Sequence, residues 1–163
     1  MALFGGFKDI NTFRGVAREV VENVVSQAVG FYKHKLDETP VNVYGEAPNK
    51  YFVGPVLINC LIERGDYEYN KDNYGIDLKR DVVFRFLKYH LEVANVYPEA
   101  GDVILYDEQY YHVDGVNENQ LVVGKDPDYT YQEGLENFGS SYSMVVFTHL
   151  STPEVLGLKQ SRL

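Results

Sequence analysis

The residues best suited to chemistry in this 163-residue sequence are its histidines, its cysteine and its acidic side chains. No two of the four histidines are three or four residues apart, so a metal-binding pair on one helical turn is not predicted. His112 and Asp114 are two residues apart, which places both side chains on one face of a strand. They could be a pair of metal ligands, but a surface contact between imidazole and carboxylate is the favoured interpretation.

Two further groups of residues lack the surroundings that catalysis requires. Cys60 lies in an apolar run without a catalytic signature, so we expect it to be a small buried side chain. A single cysteine forms no intrachain disulfide, and the sequence gives no sign of an oxidising compartment. Ser140 and Ser141 follow a glycine but do not form the G-x-S-x-G turn of hydrolases.

The acidic segment 66–72 carries oxygen side chains at every second position, as calcium loops do. Lys71 and Asp77 stand where an EF-hand requires glycine and glutamate, so a solvated strand edge or loop is favoured instead. No glycine-rich phosphate-binding loop is present. We therefore expect no catalytic residue, no metal site and no cofactor, and predict that the protein is not an enzyme.

The charge and the composition exclude further classes of function. The formal net charge is −9, and strong binding to nucleic acid requires clustered Lys and Arg. The chain carries 14 tyrosines and no tryptophan, and tyrosine suits both strands and interfaces. No apolar stretch approaches the roughly 18 residues of a membrane span. The first residues do not form a signal peptide, so we expect a soluble, cytosolic product without contact with a membrane.

The first forty residues carry a helical pattern. Phe13, Val16, Val20, Val24 and Phe31 follow one another at spacings of three, four, four and seven residues. Pro40 cannot continue a helix, so we predict one long helix over residues 9–38.

From residue 41 the pattern changes to short strands. The candidate strands are 41–44, 51–63, 82–87, 102–106, 109–116, 121–124 and 142–150, and residues 88–95 form a short helical turn. The proline of Gly54-Pro55 argues for a sheet edge or a bulge, and Asp107-Glu108 has the length of a tight hairpin turn. The strands 102–106, 109–116 and 121–124 form an antiparallel meander. Its expected inward-facing side chains are Val103, Leu105, Tyr111, Val113 and Val116.

These elements predict an α+β, mainly β fold: a long N-terminal helix followed by a small antiparallel β-barrel of five to six strands with long loops. The predicted division is a helical segment 1–40, a barrel domain 41–150 with loops at 64–80 and 125–141, and a C-terminal tail 151–163.

Three long runs of the sequence are familiar as a set. They are DINTFRGVAREVVENVVSQAVGFYKHKLDETPVNVYGEAPNKYF, VYPEAGDVILYDEQYYHVDGVNENQLVVGKDPDYTYQEG and NFGSSYSMVVFTHLSTPEVLGL. Over roughly residues 9–158 the chain resembles the small neck proteins of contractile-tailed phages, and the most telling pieces are VYGEAPNKYF and the hairpin that begins GDVILY.

The resemblance implies a subunit of the virion neck, or head–tail connector. Such proteins form a ring, commonly of six copies, between the portal and the tail, which closes the filled head and lines the DNA passage. The implied partners are further copies of the chain, the portal or an adaptor, and a tail-terminator protein, while packaged DNA passes without specific binding. Two alternatives stay open: a tail-terminator or tail-completion ring, and a small ligand-binding barrel or enzyme using Tyr111, His112 and Asp114.

The candidate interface residues come from the helix and from the two loops. Three apolar residues lie off the main face of the predicted helix, namely Val25, Val29 and Tyr32. Tyrosines in the predicted loops have amphipathic rings that suit contacts with a partner: Tyr67, Tyr69, Tyr74, Tyr129 and Tyr131.

Overall fold

The computed structural model describes residues 7–35, 50–72, 75–118 and 142–152, with the backbone alone at 7–11, 70–72 and 75–78. The predicted strands 41–44 and 121–124, the loop 125–141 and most of the C-terminal tail lie outside these residues. Two helices, one π-helical turn and six strands are described: α1 Phe7–Glu19, the π-helical turn Val20–Val25, β1 Ala28–His34, β2 Phe52–Asp72, β3 Gly75–Leu87, α2 Lys88–Ala94, β4 Val103–Tyr106, β5 Gln109–Asn117 and β6 Ser143–Ser151.

The six strands form a closed antiparallel barrel in the order β1-β2-β3-β6-β5-β4, with β4 pairing back onto β1. The predicted barrel and its mainly β class are therefore confirmed. Its interior is filled by alternate side chains of every strand, including Phe31, Phe84, Tyr111 and Val146. Cys60 is fully buried among them, and burial raises the pKa of its thiol to about 12.

The hairpin of β4 and β5 matches its prediction. Asp107 and Glu108 connect the two strands, and both have positive φ, 52° and 60°. This is the backbone of a type I′ turn, whose twist suits a two-residue hairpin. The predicted strands at 82–87 and 142–150 and the helical turn after residue 87 are also present. A register shift opposite Gly54-Pro55 confirms the bulge predicted there.

The long N-terminal helix over 9–38 is wrong. Helical structure ends at Val25, Ser26 adopts the left-handed conformation, and β1 begins at Ala28. The apolar residues of 25–32 fit a helical period and an alternating one equally, and pairing with β2 and β4 decides for the strand. Val29 and Phe31 consequently point into the barrel.

The predicted loop at 64–80 is also wrong, because β2 continues to Asp72 and β3 starts at Gly75. In the described residues, the pairing of β2 with β1 ends at Asn59 and that of β3 with β6 begins at Asp81. Segments 65–72 and 75–80 therefore pair only with each other, from Tyr67–Arg80 to Asp72–Gly75. We call this two-stranded projection the arm. Its six paired positions extend about 20 Å at roughly 3.3 Å per residue.

The inward-facing set of the meander is right for β5 and wrong for β4. Tyr111, Val113 and Val116 line the barrel interior. Val103 and Leu105 instead join Tyr32 and Tyr110 in a second buried cluster on the other side of the sheet. All four residues of β4 are buried, so no alternation in its sequence indicates which pair faces inward.

Candidate functional site

The apolar stripe of the N-terminal helix is exposed on the surface of the subunit. Phe13 and Val16 are each 56% exposed, Val20 is 41% exposed and Val24 is 74% exposed. In an ordinary surface helix such a stripe packs on the core of the same subunit. The structure leaves it uncovered, which is the reverse of an ordinary surface helix.

The polar side of the helix holds it to the rest of the subunit. The Arg18 guanidinium lies 4.1 Å from the centre of the Tyr89 ring. Glu22 Oε1 is 2.9 Å from Arg18 Nε and 3.0 Å from His90 Nε2. The hydrogen bond that the carboxylate accepts from Arg18, followed by the one from His90, lowers the pKa of the Glu22 carboxyl. Because successive residues turn by about 100°, Arg18 lies opposite Val20 on the helix.

The arm carries the second exposed surface. Tyr69 is 71% exposed and Tyr67 is 40% exposed. The Tyr67 hydroxyl accepts a hydrogen bond of 2.7 Å from Arg80 Nη1, and the Arg80 guanidinium lies 4.3 Å from the ring centre. These contacts fix Tyr67 at the base of the arm, whereas Tyr69 extends into solvent.

The predicted interface residues separate into three groups. Val25, Tyr67 and Tyr69 are exposed in the free subunit, so a neighbouring molecule can contact them. Val29 is 1% exposed inside the barrel, and Tyr32 is 7% exposed with its ring 6.1 Å from that of Tyr110. Neither side chain is available to a neighbouring molecule, because both residues belong to a barrel strand. The other three predicted residues, Tyr74, Tyr129 and Tyr131, lie outside the described residues.

The Gly101-Asp102 motif that contributes to the resemblance has a structural role. The buried Asp102 carboxylate accepts hydrogen bonds of 2.8 Å from the backbone N–H groups of His34 and Glu99, and Lys33 Nζ lies 3.0 Å away. Gly101 has a φ of 100°, which disfavours any side chain. The motif therefore ties β1 to the segment before β4.

The pair His112 and Asp114 is joined in the fold by a third residue, His149. His112 and His149 are direct partners on β5 and β6, and their ring centres are 5.3 Å apart. Asp114 Oδ1 lies 2.7 Å from His149 Nδ1. The predicted surface contact of Asp114 with a histidine exists, but with His149 rather than with His112. Sequence reasoning missed His149 because 35 residues separate it from Asp114.

Among the described residues, no helix has the length and apolar character needed to cross a membrane. No protein-family model matches the sequence, and no curated protein matches it significantly. Among solved structures, one similar chain is described as "Virion of native gene transfer agent (GTA) particle". The two chains share a TM-score of 0.44 and 7% sequence identity, over 76% of this chain and 91% of the other. A similarity at this level carries no conclusion about function.

Proposed function

We propose that this protein is a structural subunit of a phage-like virion that assembles into a ring with further copies of itself. The observation that carries the proposal is the exposed apolar stripe that runs from α1 into the π-helical turn, formed by Phe13, Val16, Val20 and Val24. The helix is fastened through its polar side, so the stripe stays directed away from the residues that hold it. A surface of this kind is typical of a contact that forms only on assembly.

The energetics favour covering the stripe by a contact with another molecule. Complete burial of one Val or Phe side chain contributes about 1.5–3 kcal/mol, and the four residues of the stripe retain roughly half of their exposure. Covering the stripe would therefore stabilise an assembled state by several kcal/mol.

The arm supports the same conclusion independently. An isolated two-stranded ribbon is only marginally stable in water, and its outer edges offer unpaired N–H and C=O groups. Among the described residues, the two strands of the arm pair only with each other. A neighbouring copy would supply the missing partner for the arm.

The position in the particle and the partners rest on the sequence resemblance to neck proteins. On that basis the ring lies between the portal and the tail, has six copies, and contacts a portal or adaptor protein on one side and a tail-terminator protein on the other. A tail-terminator or tail-completion ring is the alternative position. In both positions the protein acts through contacts and not as an enzyme.

The assembly is tested with a matched pair of substitutions. Val24→Glu places a charge on the stripe at a residue that is 74% exposed, and Val93→Glu places the same charge on α2 at a residue that is 70% exposed. We expect Val24→Glu to abolish rings in native mass spectrometry and to reduce the copy number in particles, with an unchanged melting temperature. Val93→Glu is expected to assemble normally, and equal assembly of both variants would contradict the proposal.

The position is tested by immuno-electron microscopy of intact particles with antibodies against the chain. We expect the label at the junction of head and tail. Label at the far end of the tail or over the whole head would contradict a neck protein.

The charge predicts how the ring behaves toward DNA. Six copies at −9 each carry −54, and a wall of this sign repels the phosphate backbone instead of binding it. We expect no measurable binding of the free protein to duplex DNA at physiological salt in a fluorescence anisotropy titration. Submicromolar binding that weakens with added salt would contradict this prediction.

A further inference from the structure

Three neighbouring strands bring ionisable side chains into one row on the barrel wall. His112 on β5 is the direct partner of His149 on β6, and His149 is the direct partner of Asp81 on β3. Directly opposed residues on antiparallel strands have Cβ atoms about 5 Å apart on the same face. A bulge between Val113 and Gly115 leaves Asp114 without a strand partner, and its carboxylate reaches His149.

The distances within the row suit a metal ion. One ligand atom each from His112, Asp114 and His149 lies within 4.8 Å of the other two. Bonds of about 2.0–2.1 Å to a tetrahedral zinc ion hold neighbouring ligand atoms about 3.3 Å apart. Small side-chain rotations reach that geometry, because Asp114 and His149 have side chains that are 51% and 40% exposed.

The His112 imidazole offers an unused nitrogen to a ligand. Its Nδ1 atom is buried, and no described residue forms a hydrogen bond with it. A buried polar atom without a partner is uncommon and is consistent with a bound ion.

We propose that His112, Asp114 and His149 bind a divalent transition-metal ion such as zinc, through one nitrogen of each imidazole and one carboxylate oxygen. Two nitrogen donors favour zinc, cobalt or nickel over calcium and magnesium, which prefer oxygen. Asp114 and His149 line an open cleft of about 280 Å³, from which water and an ion can reach both side chains. All three ligands belong to one subunit, so binding does not depend on ring formation.

The test uses the full chain, free of any polyhistidine tag and stripped of metal with a chelator. Zn²⁺ is titrated by calorimetry, Co²⁺ by its visible absorption, and Ca²⁺ serves as the comparison ion. The variants are His112→Ala, His149→Asn and Asp114→Asn. His90→Asn is the matched control, because His90 contacts Glu22 at the N-terminal helix, remote from the row. Circular dichroism and melting of the metal-free variants show whether each one folds.

We expect one Zn²⁺ per chain, a tetrahedral Co²⁺ spectrum and a higher melting temperature with zinc. His149→Asn should weaken zinc binding at least about 10–100-fold, as loss of groups at metal sites does, and His90→Asn should bind normally. His149 is partly exposed, so its variant decides the question even if His112→Ala does not fold. No zinc binding by the wild type, equal binding by His149→Asn, or calcium binding as strong as that of zinc would overturn the proposal.

Discussion

The same residue types are buried in the barrel and exposed on its two projections, the N-terminal helical segment and the arm. Val29 and Val24 are five residues apart, yet Val29 is 1% exposed inside the barrel and Val24 is 74% exposed on the helical segment. Tyr111 is fully buried, whereas Tyr69 on the arm is 71% exposed. The barrel interior is packed within one chain. The projections expose apolar side chains and strand edges, and under the proposed function they mediate assembly.

The contacts within each region explain this division. Every barrel strand pairs on both sides along part of its length, and the described interior holds one continuous cluster of apolar side chains. The N-terminal helical segment is instead held by the contact of Glu22 with His90, by the Arg18 guanidinium on the Tyr89 ring, and by the buried side chain of Val21. Polar contacts at or near the surface contribute little free energy each. We therefore expect the barrel to determine the free energy of unfolding and the projections to determine the oligomeric state.

The largest expected effect is that of a charge placed in the barrel. Val113→Asp buries a carboxylate without a partner at a fully buried position and should reduce the free energy of unfolding by about 3–5 kcal/mol. Val93→Asp introduces the same group at a residue that is 70% exposed and should change it by less than about 0.5 kcal/mol. Chemical denaturation measures both. Equal stability of the two variants would show that the interior is not a packed core.

A smaller effect on stability is expected at the two carboxylates that contact Lys33, those of Asp102 and Glu99. Asp102→Ala removes a buried acceptor of two backbone N–H groups and should cost about 2–4 kcal/mol. Glu99→Ala removes the other carboxylate on the same lysine, at 2.7 Å, but its side chain is 61% exposed and should contribute less than about 1 kcal/mol. Thermal and chemical unfolding compare them. A larger loss for Glu99→Ala would mean that the salt bridge, and not the backbone contacts, holds β1.

The smallest effect on stability is expected in the arm. Tyr69→Ser should leave the free energy of unfolding within about 0.5 kcal/mol of the wild type, because the ring is 71% exposed. It should nevertheless weaken assembly severalfold, as the loss of an interface tyrosine worth about 1 kcal/mol does. Tyr97→Ser, at a residue that is 51% exposed outside the arm, is the control. Native mass spectrometry at several concentrations measures both, and normal assembly of Tyr69→Ser would exclude the arm as an interface.

Sequence patterns predicted the parts of the fold that local chemistry controls. The turn at Asp107-Glu108, the alternation of Val82, Phe84 and Phe86, and the antiparallel barrel all follow from residue types and spacing. The helix was predicted too long because the apolar residues near Val29 satisfy two periods at once. Which side chains of β4 face the barrel interior was also not predictable, since a strand buried on both faces shows no alternation of apolar and polar residues.

The candidate functional surfaces, too, were only partly predictable from the sequence. The sequence determined that the chain carries an apolar helical stripe, many tyrosines, a negative charge and a pair formed by His112 and Asp114. Only the tertiary structure decided that the stripe faces outward and that His149 joins the pair. Both outcomes depend on contacts between residues far apart in the chain: Arg18 and Glu22 contact α2, and His149 pairs with β5. Such contacts form only when the whole domain folds, and no local segment encodes them.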